Sequence, residues 1–244
     1  DLRGVYLVPR GQNVVVSLPM PPAPSGSRDA ATLARQLLDD QRPAAQRQAI
    51  IDDNTGLSAG LIAQMASDLQ DDAKEEYRRI PWIWRVAIAA GKGNKVDELR
   101  AILDVSLPKD DQPLRDWQAV VIGGGVINGV SQAGDWPAAR LAVVVGDPAG
   151  ALARRWSRSL DLAAAMADRE QVPIGTRYDA LRMIPLQGWA QRGAQLGKYL
   201  SAGTHPELQM GAVSGMSDID APEATAKLVA SLRGLAPGNR SLAI

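Results

Sequence analysis

The sequence predicts an all-α chain: an α-solenoid of stacked helical hairpins behind a short extended N-terminal segment. Three observations predict it. From residue 27 onward, apolar residues recur at spacings of three and four in runs of modest length. Those runs are separated by acid-and-proline texts that start helices. A shift of 32 residues places Ala180 on Ala212, Leu181 on Val213, Ile184 on Met216, Leu196 on Leu228 and Leu200 on Leu232. One helix pair per repeat of about 30–45 residues is the period of HEAT-like and armadillo-like solenoids, in which each pair buries a face against each neighbour.

Residues 1–26 read differently from the rest. Val5 to Val8 and Val14 to Val16 flank the text PRGQN, which predicts two short strands around a turn. The Pro-rich text PMPPAPSG at 19–26 is a linker, so the expected division is an extended segment over 1–26 and a helical repeat domain over 27–244. Two strands alone are marginal, and the segment is expected to pair with something else.

Within 27–244, Leu33, Leu37 and Leu38 form one apolar stripe, and Leu57, Leu61, Ile62, Met65 and Leu69 form another. Further periodic runs cover 43–53, 81–91, 95–107, 113–133, 137–146, 149–168, 176–186, 189–201, 206–217 and 222–233. About a dozen helices in six antiparallel pairs follow from these breaks. Thr204-His205-Pro206-Glu207 reads as a capping box, and Asp220-Ala221-Pro222-Glu223 repeats it with Asp as cap. Asp135-Trp136-Pro137, Asp147-Pro148 and Asp111 before Pro113 carry the same logic.

Composition narrows the function classes. The 244 residues carry 27 Lys+Arg against 27 Asp+Glu, so no basic field favours a nucleic-acid backbone. Cysteine is absent, which removes disulfides, Cys-ligated zinc and CxxCH haem attachment. No apolar stretch approaches the roughly 20 residues of a membrane span. Residues 1–20 show no signal-peptide pattern. Phe is absent while Trp occurs six times among abundant Ala, a composition suited to close helix packing with a few large side chains filling gaps.

One string imitates a nucleotide site. VVIGGGVING at 120–129, followed by LAVVVGD at 141–147, resembles a strand, a glycine turn, a helix and a second strand ending in an acid. Gly123 and Gly125 would approach a pyrophosphate and Asp147 a ribose hydroxyl, 22 residues past Gly125. Against this, Asn128 stands where the third glycine belongs, and Gly134-Asp135-Trp136-Pro137 ends the intervening helix early. The alternative is a single helix over 113–133 with Gly123 to Gly125 at a close helix–helix contact. Three helical glycines cost about 1 kcal/mol each relative to Ala, and a kink is expected there.

Other sites favour structural roles. His205, the only histidine, sits in a capping text. Asp71, Asp72, Glu75 and Glu76 cluster at a helix start, where the macrodipole favours negative charge. Arg78 and Arg79, and Arg154, Arg155 and Arg158, are expected on solvated faces or in salt-bridge rows. Trp82 and Trp84 lie about 200° apart around a helix, so at least one packs between repeats.

Four texts carry a family resemblance: YRRIPWIWRVAIAAG at 77–91, LRDWQAVVIGGG at 114–125, GTRYDALRM at 175–183 and HPELQMGAV at 205–213. Together they resemble the HEAT-like region of large bacterial proteins described as membrane-bound dehydrogenases, over roughly residues 70–244. In that family a β-propeller precedes the helical region and a c-type cytochrome domain often follows. The resemblance implies an extracytoplasmic address and makes residues 4–9 look like the closing strand of a propeller. This chain has neither a propeller body nor CxxCH, so no catalytic, quinone or haem residue carries over.

The expected function is a non-catalytic scaffold for protein–protein or interdomain contact within a larger multidomain protein. No metal, cofactor or catalytic residue is expected. The alternatives are a flavin- or nicotinamide-dependent oxidoreductase using Gly123, Gly125 and Asp147, and a carbohydrate-binding module using exposed Trp. Neither end reads as a polar cap, so continuation beyond Ile244 or an oligomeric partner is expected.

Overall fold

The computed structural model describes residues 6–10, 13–17, 29–67, 69, 72–107 and 116–243. Strands β1 (Tyr6–Arg10) and β2 (Asn13–Ser17) form an antiparallel ribbon in register from Tyr6 opposite Ser17 to Arg10 opposite Asn13. Pairing therefore extends through Pro9, which the sequence placed in the turn. Val5 and the linker at 19–26 lie outside the described residues.

The remainder is helical. Thirteen helices are described: α1 (Ala30–Leu37), α2 (Ala44–Asp53), α3 (Ser58–Ala66), α4 (Ala73–Gly93), α5 (Val96–Ser106), α6 (Asp116–Gln132) and α7 (Pro137–Val145), then α8 (Ala151–Ala167), α9 (Ile174–Met183), α10 (Trp189–Lys198), α11 (Pro206–Ser217), α12 (Pro222–Ser231) and α13 (Pro237–Arg240). A 3-10 turn, Ile184–Gln187, prolongs α9.

Local chemistry sets several starts. The Asp29 carboxylate accepts from the Thr32 N–H at 3.1 Å and begins α1. Asp72 accepts from the N–H groups of Lys74 and Glu75 and begins α4 at the acidic cluster expected to mark a helix start, eight residues before the apolar run that opens at Pro81. Pro81 is accommodated inside α4 on its exposed side, with Tyr77 82% exposed, so the carbonyl freed by the missing N–H can turn to water.

Four expected caps are corrected. Gly150, not Asp147, stands at the cap of α8, and no side chain serves it. His205, not Thr204, is the N-cap of α11, its Nδ1 accepting from the Glu207 N–H at 3.3 Å, while the Thr204 hydroxyl pairs with Ser201. Ala221, not Asp220, stands at the cap of α12, and no side chain serves that cap. Trp136 stands at the cap of α7, with Pro137 as its first residue. Residues 111–115, including the expected Asp111 cap, lie outside the described residues.

Packing runs in two rows. Helices α2, α4, α6, α9, α11 and α13 contact one another in succession, and α1, α3, α5, α7 and α8 do likewise beside them, with α10 against α12. Consecutive helices α1 and α2, α3 and α4, α5 and α6, α8 and α9, and α10 and α11 also touch. Of the positions superposed by the 32-residue shift, Ala180 and Ala212, Leu181 and Val213, Ile184 and Met216, and Leu196 and Leu228 all lie in the core, whereas Leu200 is buried and Leu232 only partly so. One apolar core links the rows from Leu33 to Leu235.

The row contacts are reinforced by arginines that serve the carbonyls at helix ends, which have no partner within their own helix. Arg47 and Arg78 donate to Leu37 O and Leu38 O at the end of α1, and Arg79 donates to Met65 O and Ser67 O at the end of α3. Arg155 donates to Leu107 O after α5, Arg100 to Val144 O in α7, and Arg177 to Ala167 O in α8. Arg155 was expected on a solvated face or in a salt-bridge row; it is buried and pairs with Asp104 at 2.5 Å while serving that helix end.

Candidate functional site

Helix α6 lies at the centre of the fold and is apolar on every side, with Ala119 through Val130 buried. Its glycines are contact surfaces. A Cβ at Gly129 would run into Ile88 O and Gly91 Cα of α4, and a Cβ at Gly91 would run into Val126 O, so two helix backbones touch there. A Cβ at Gly125 would sit 2.8 Å from the Ala87 Cβ. On the opposite flank, a Cβ at Gly124 would sit 2.6 Å from the Asp179 Cβ of α9 and 2.9 Å from its Cα. Gly123 faces the flexible end of Met183.

This corrects the dinucleotide alternative. Its fingerprint requires strand, glycine turn, helix and strand over 118–147, and the structure has helix, turn and helix. Gly123 and Gly125 are buried inside α6. Asp147 is exposed in the turn between α7 and α8, where its Oδ1 accepts from the Ala149 N–H at 3.0 Å. The structure does not bring the three residues into one cradle. The expected single helix spanning the glycines is described from Asp116 and runs to Gln132.

Because glycine thins α6, side chains from α4 and α9 meet across it. The Trp84 indole N–H donates to Asp179 Oδ1 at 2.8 Å, joining residues 95 positions apart. Asp179 is only 4% exposed, and burial pushes its carboxyl well above the ordinary range, outweighing the Trp84 hydrogen bond and the Arg182 charge. Glu207 adds a further upward push.

One turn along α9 a second polar group joins three helices. Arg182, 2% exposed, donates from Nε to Asn128 Oδ1 at 2.9 Å and pairs through Nη2 with Asp218 Oδ2 at 2.6 Å. The Ser131 hydroxyl donates to Asp218 Oδ1 at 2.7 Å, and the Tyr178 hydroxyl donates to Asn128 Oδ1 at 3.3 Å. Asn128, which breaks the glycine fingerprint, is thus the polar link from α6 to α9. Burial raises the Tyr178 hydroxyl above its usual range.

The remaining sequence candidates are placed as follows. Trp82 is buried, with the guanidinium carbons of Arg47 and Arg85 at 4.1 and 5.0 Å from its ring centre. The acidic cluster serves the start of α4: Asp72 caps it, the Glu75 carboxyl is held down at about 2 by hydrogen bonds from Arg78 and then Arg79, and Glu76 accepts from the Trp117 indole. Asp71 lies outside the described residues. Among the described residues no His, Asp and Glu side chains gather in a group able to hold a metal.

A shallow groove of about 510 Å³ lies between α8 and α10, lined by Asp161, Ala164, Asp168, Arg192, Gln195 and Lys198 among others. Its charges answer one another, Arg192 with Asp161 at 3.5 Å and Lys198 with Asp168 at 3.6 Å. Sequence reasoning also missed the exposed apolar side chains Tyr77, Trp136 and Val143, the last two seven residues apart along α7. The i, i+7 spacing from Trp136, just before the run 137–146, to Val143 within it was the available signal. Among the described residues no helix is long and apolar enough to cross a membrane. Compared with family models, curated proteins and solved structures, the chain matches none of them.

Proposed function

We propose that the chain is an α-solenoid of HEAT-like helical pairs that serves as a protein–protein or interdomain scaffold. The observation that carries this reading is the succession of contacts between alternate helices, α2 to α4 to α6 to α9 to α11, beside a second row. Stacks of this kind present long surfaces built from successive repeats, and they bind through those surfaces. The exposed Tyr77 on α4 and Trp136 at the start of α7 are the aromatic residues such a surface uses as anchors. The resemblance to the helical region of bacterial membrane-bound dehydrogenases supports placing this scaffold in a larger polypeptide, with neighbouring domains as its first partners. That setting carries an extracytoplasmic address with it.

Photo-crosslinking residues placed at Tyr77 and at Trp136 in the natural polypeptide test the scaffold. A discrete adduct from either position, to another protein or to a distant segment of the same chain, is expected. Absence of any discrete adduct from both positions contradicts it. The half-exposed Trp136 favours a second reading, carbohydrate stacking on its indole. Saturable quenching of tryptophan fluorescence by oligosaccharides, lost in Trp136→Ala, would establish that reading; flat titrations would exclude it for the sugars used.

A further inference from the structure

We propose that Asp179 is a proton-operated latch that fastens α4 to α9 across α6. The geometry has three parts. Asp179 is 4% exposed and its side chain lies against the bare Gly124 of α6, where no side chain separates the carboxyl from the helix backbone. Its Oδ1 accepts the Trp84 indole N–H at 2.8 Å, the cross-link between α4 and α9. The nearest guanidinium, Arg182, holds Asn128 through Nε and Asp218 through Nη2, and its Nη1 makes no hydrogen bond, so no direct pair joins it to Asp179.

The charged groups acting on the carboxyl are few. Arg182 of α9 attracts its anion and Glu207 of α11 repels it. Helix α4 offers only the indole donor, α6 presents glycine, and α8 adds no charge to this set. In the protonated state Oδ1 accepts from Trp84 and Oδ2 carries the proton, so the buried group is neutral. Loss of that proton to solvent leaves an anion with one donor and no ion pair, and water must enter the seam to solvate it.

The carboxyl titrates higher in the folded chain than in the unfolded one. The stability it contributes is therefore complete below the unfolded value, and it is lost as pH rises through the folded value. Between those two values, opening of the seam is linked to release of one proton. Indole protection should therefore fall by up to about tenfold per pH unit between the unfolded and folded values and level off above the folded one.

The test follows the Trp84 indole N–H by NMR in the intact chain between about pH 4 and pH 9. Its resonance is assigned by its loss in Trp84→Phe, and its solvent exchange is normalised to that of the other indoles. The expected result is a titration with its midpoint above the ordinary carboxylate range. A fall in melting temperature should accompany it through the same window. Asp179→Asn should abolish both. Glu207→Gln should move the midpoint down, a shift that a merely structural role for Asp179 would not produce. Should Asp179→Asn fail to fold, the wild-type and Glu207→Gln titrations decide alone. A flat wild-type titration, a midpoint at or below the ordinary carboxylate value, or an unmoved midpoint in Glu207→Gln overturns the latch.

Discussion

Arg182 spends its guanidinium inside the protein, on Asn128 and on Asp218, itself 9% exposed at the side chain. Burying two charges is expensive, and the cost is met only while each keeps its partner. Asp218→Ala is therefore expected to destabilise the chain by about 3–5 kcal/mol, because it strands a buried cation. Ser131→Ala removes one neutral donor from the same carboxylate and should cost about 1 kcal/mol. Urea unfolding followed by circular dichroism checks both, and equal losses would mean that the ion pair is not the source of the effect. None of this network was legible in the sequence. Asn128 was noticed only as a departure from a glycine fingerprint, and Arg182 and Asp218 belong to helices that only folding brings beside α6.

At the scale of single elements, α6 was the ambiguous one. Its run of Val, Ile and Gly fits a buried strand with a nucleotide turn or a buried helix, since short apolar runs do not separate the two by periodicity. Asn128 and the early stop at Gly134 pointed to the helix, and the helix is what forms. Its glycines then differ in cost. Gly129→Ala places a methyl group against two backbone segments of α4 that cannot move independently, so overpacking of about 1–3 kcal/mol should exceed the gain in helix propensity of about 1 kcal/mol. Gly123→Ala meets the movable end of Met183 and should change stability by less than about 1 kcal/mol. Chemical denaturation of the two variants checks the order, and Gly129→Ala proving the more stable would refute the close approach. Helix existence was readable throughout because the 3.6-residue period survives in most runs. Helix starts were less readable: Asp72, Glu75 and Glu76 marked the start of α4, but the caps expected at Thr204, Asp220 and Asp147 fall on His205, Ala221 and Gly150.

For the whole molecule, net neutrality concealed how the arginines are used. Arg47, Arg78, Arg79, Arg100, Arg155 and Arg177 each reach a carbonyl at or near the end of a neighbouring helix; Arg47, Arg78, Arg79 and Arg177 tie the two rows together, and Arg100 and Arg155 join neighbours within one row. Each such bond is made to a charged donor and is worth about 1.5–3 kcal/mol where it is shielded from water. Sequence position gives no hint of it, because the donor and the helix end lie on different elements. The 32-residue similarity was the legible part of the architecture, since equivalent core positions in α9 and α11 require side chains of similar size. The stacked arrangement itself is tested most directly by a distance across the row. The chain contains no cysteine, so Gln46→Cys on α2 and Thr225→Cys on α12 give two unique, exposed spin-label sites. Steps of about 8–10 Å along α2, α4, α6, α9 and α11 place those labels roughly 35 Å or more apart. Electron–electron double resonance is expected to return a single distribution centred there; a distribution centred below about 20 Å would contradict the stack.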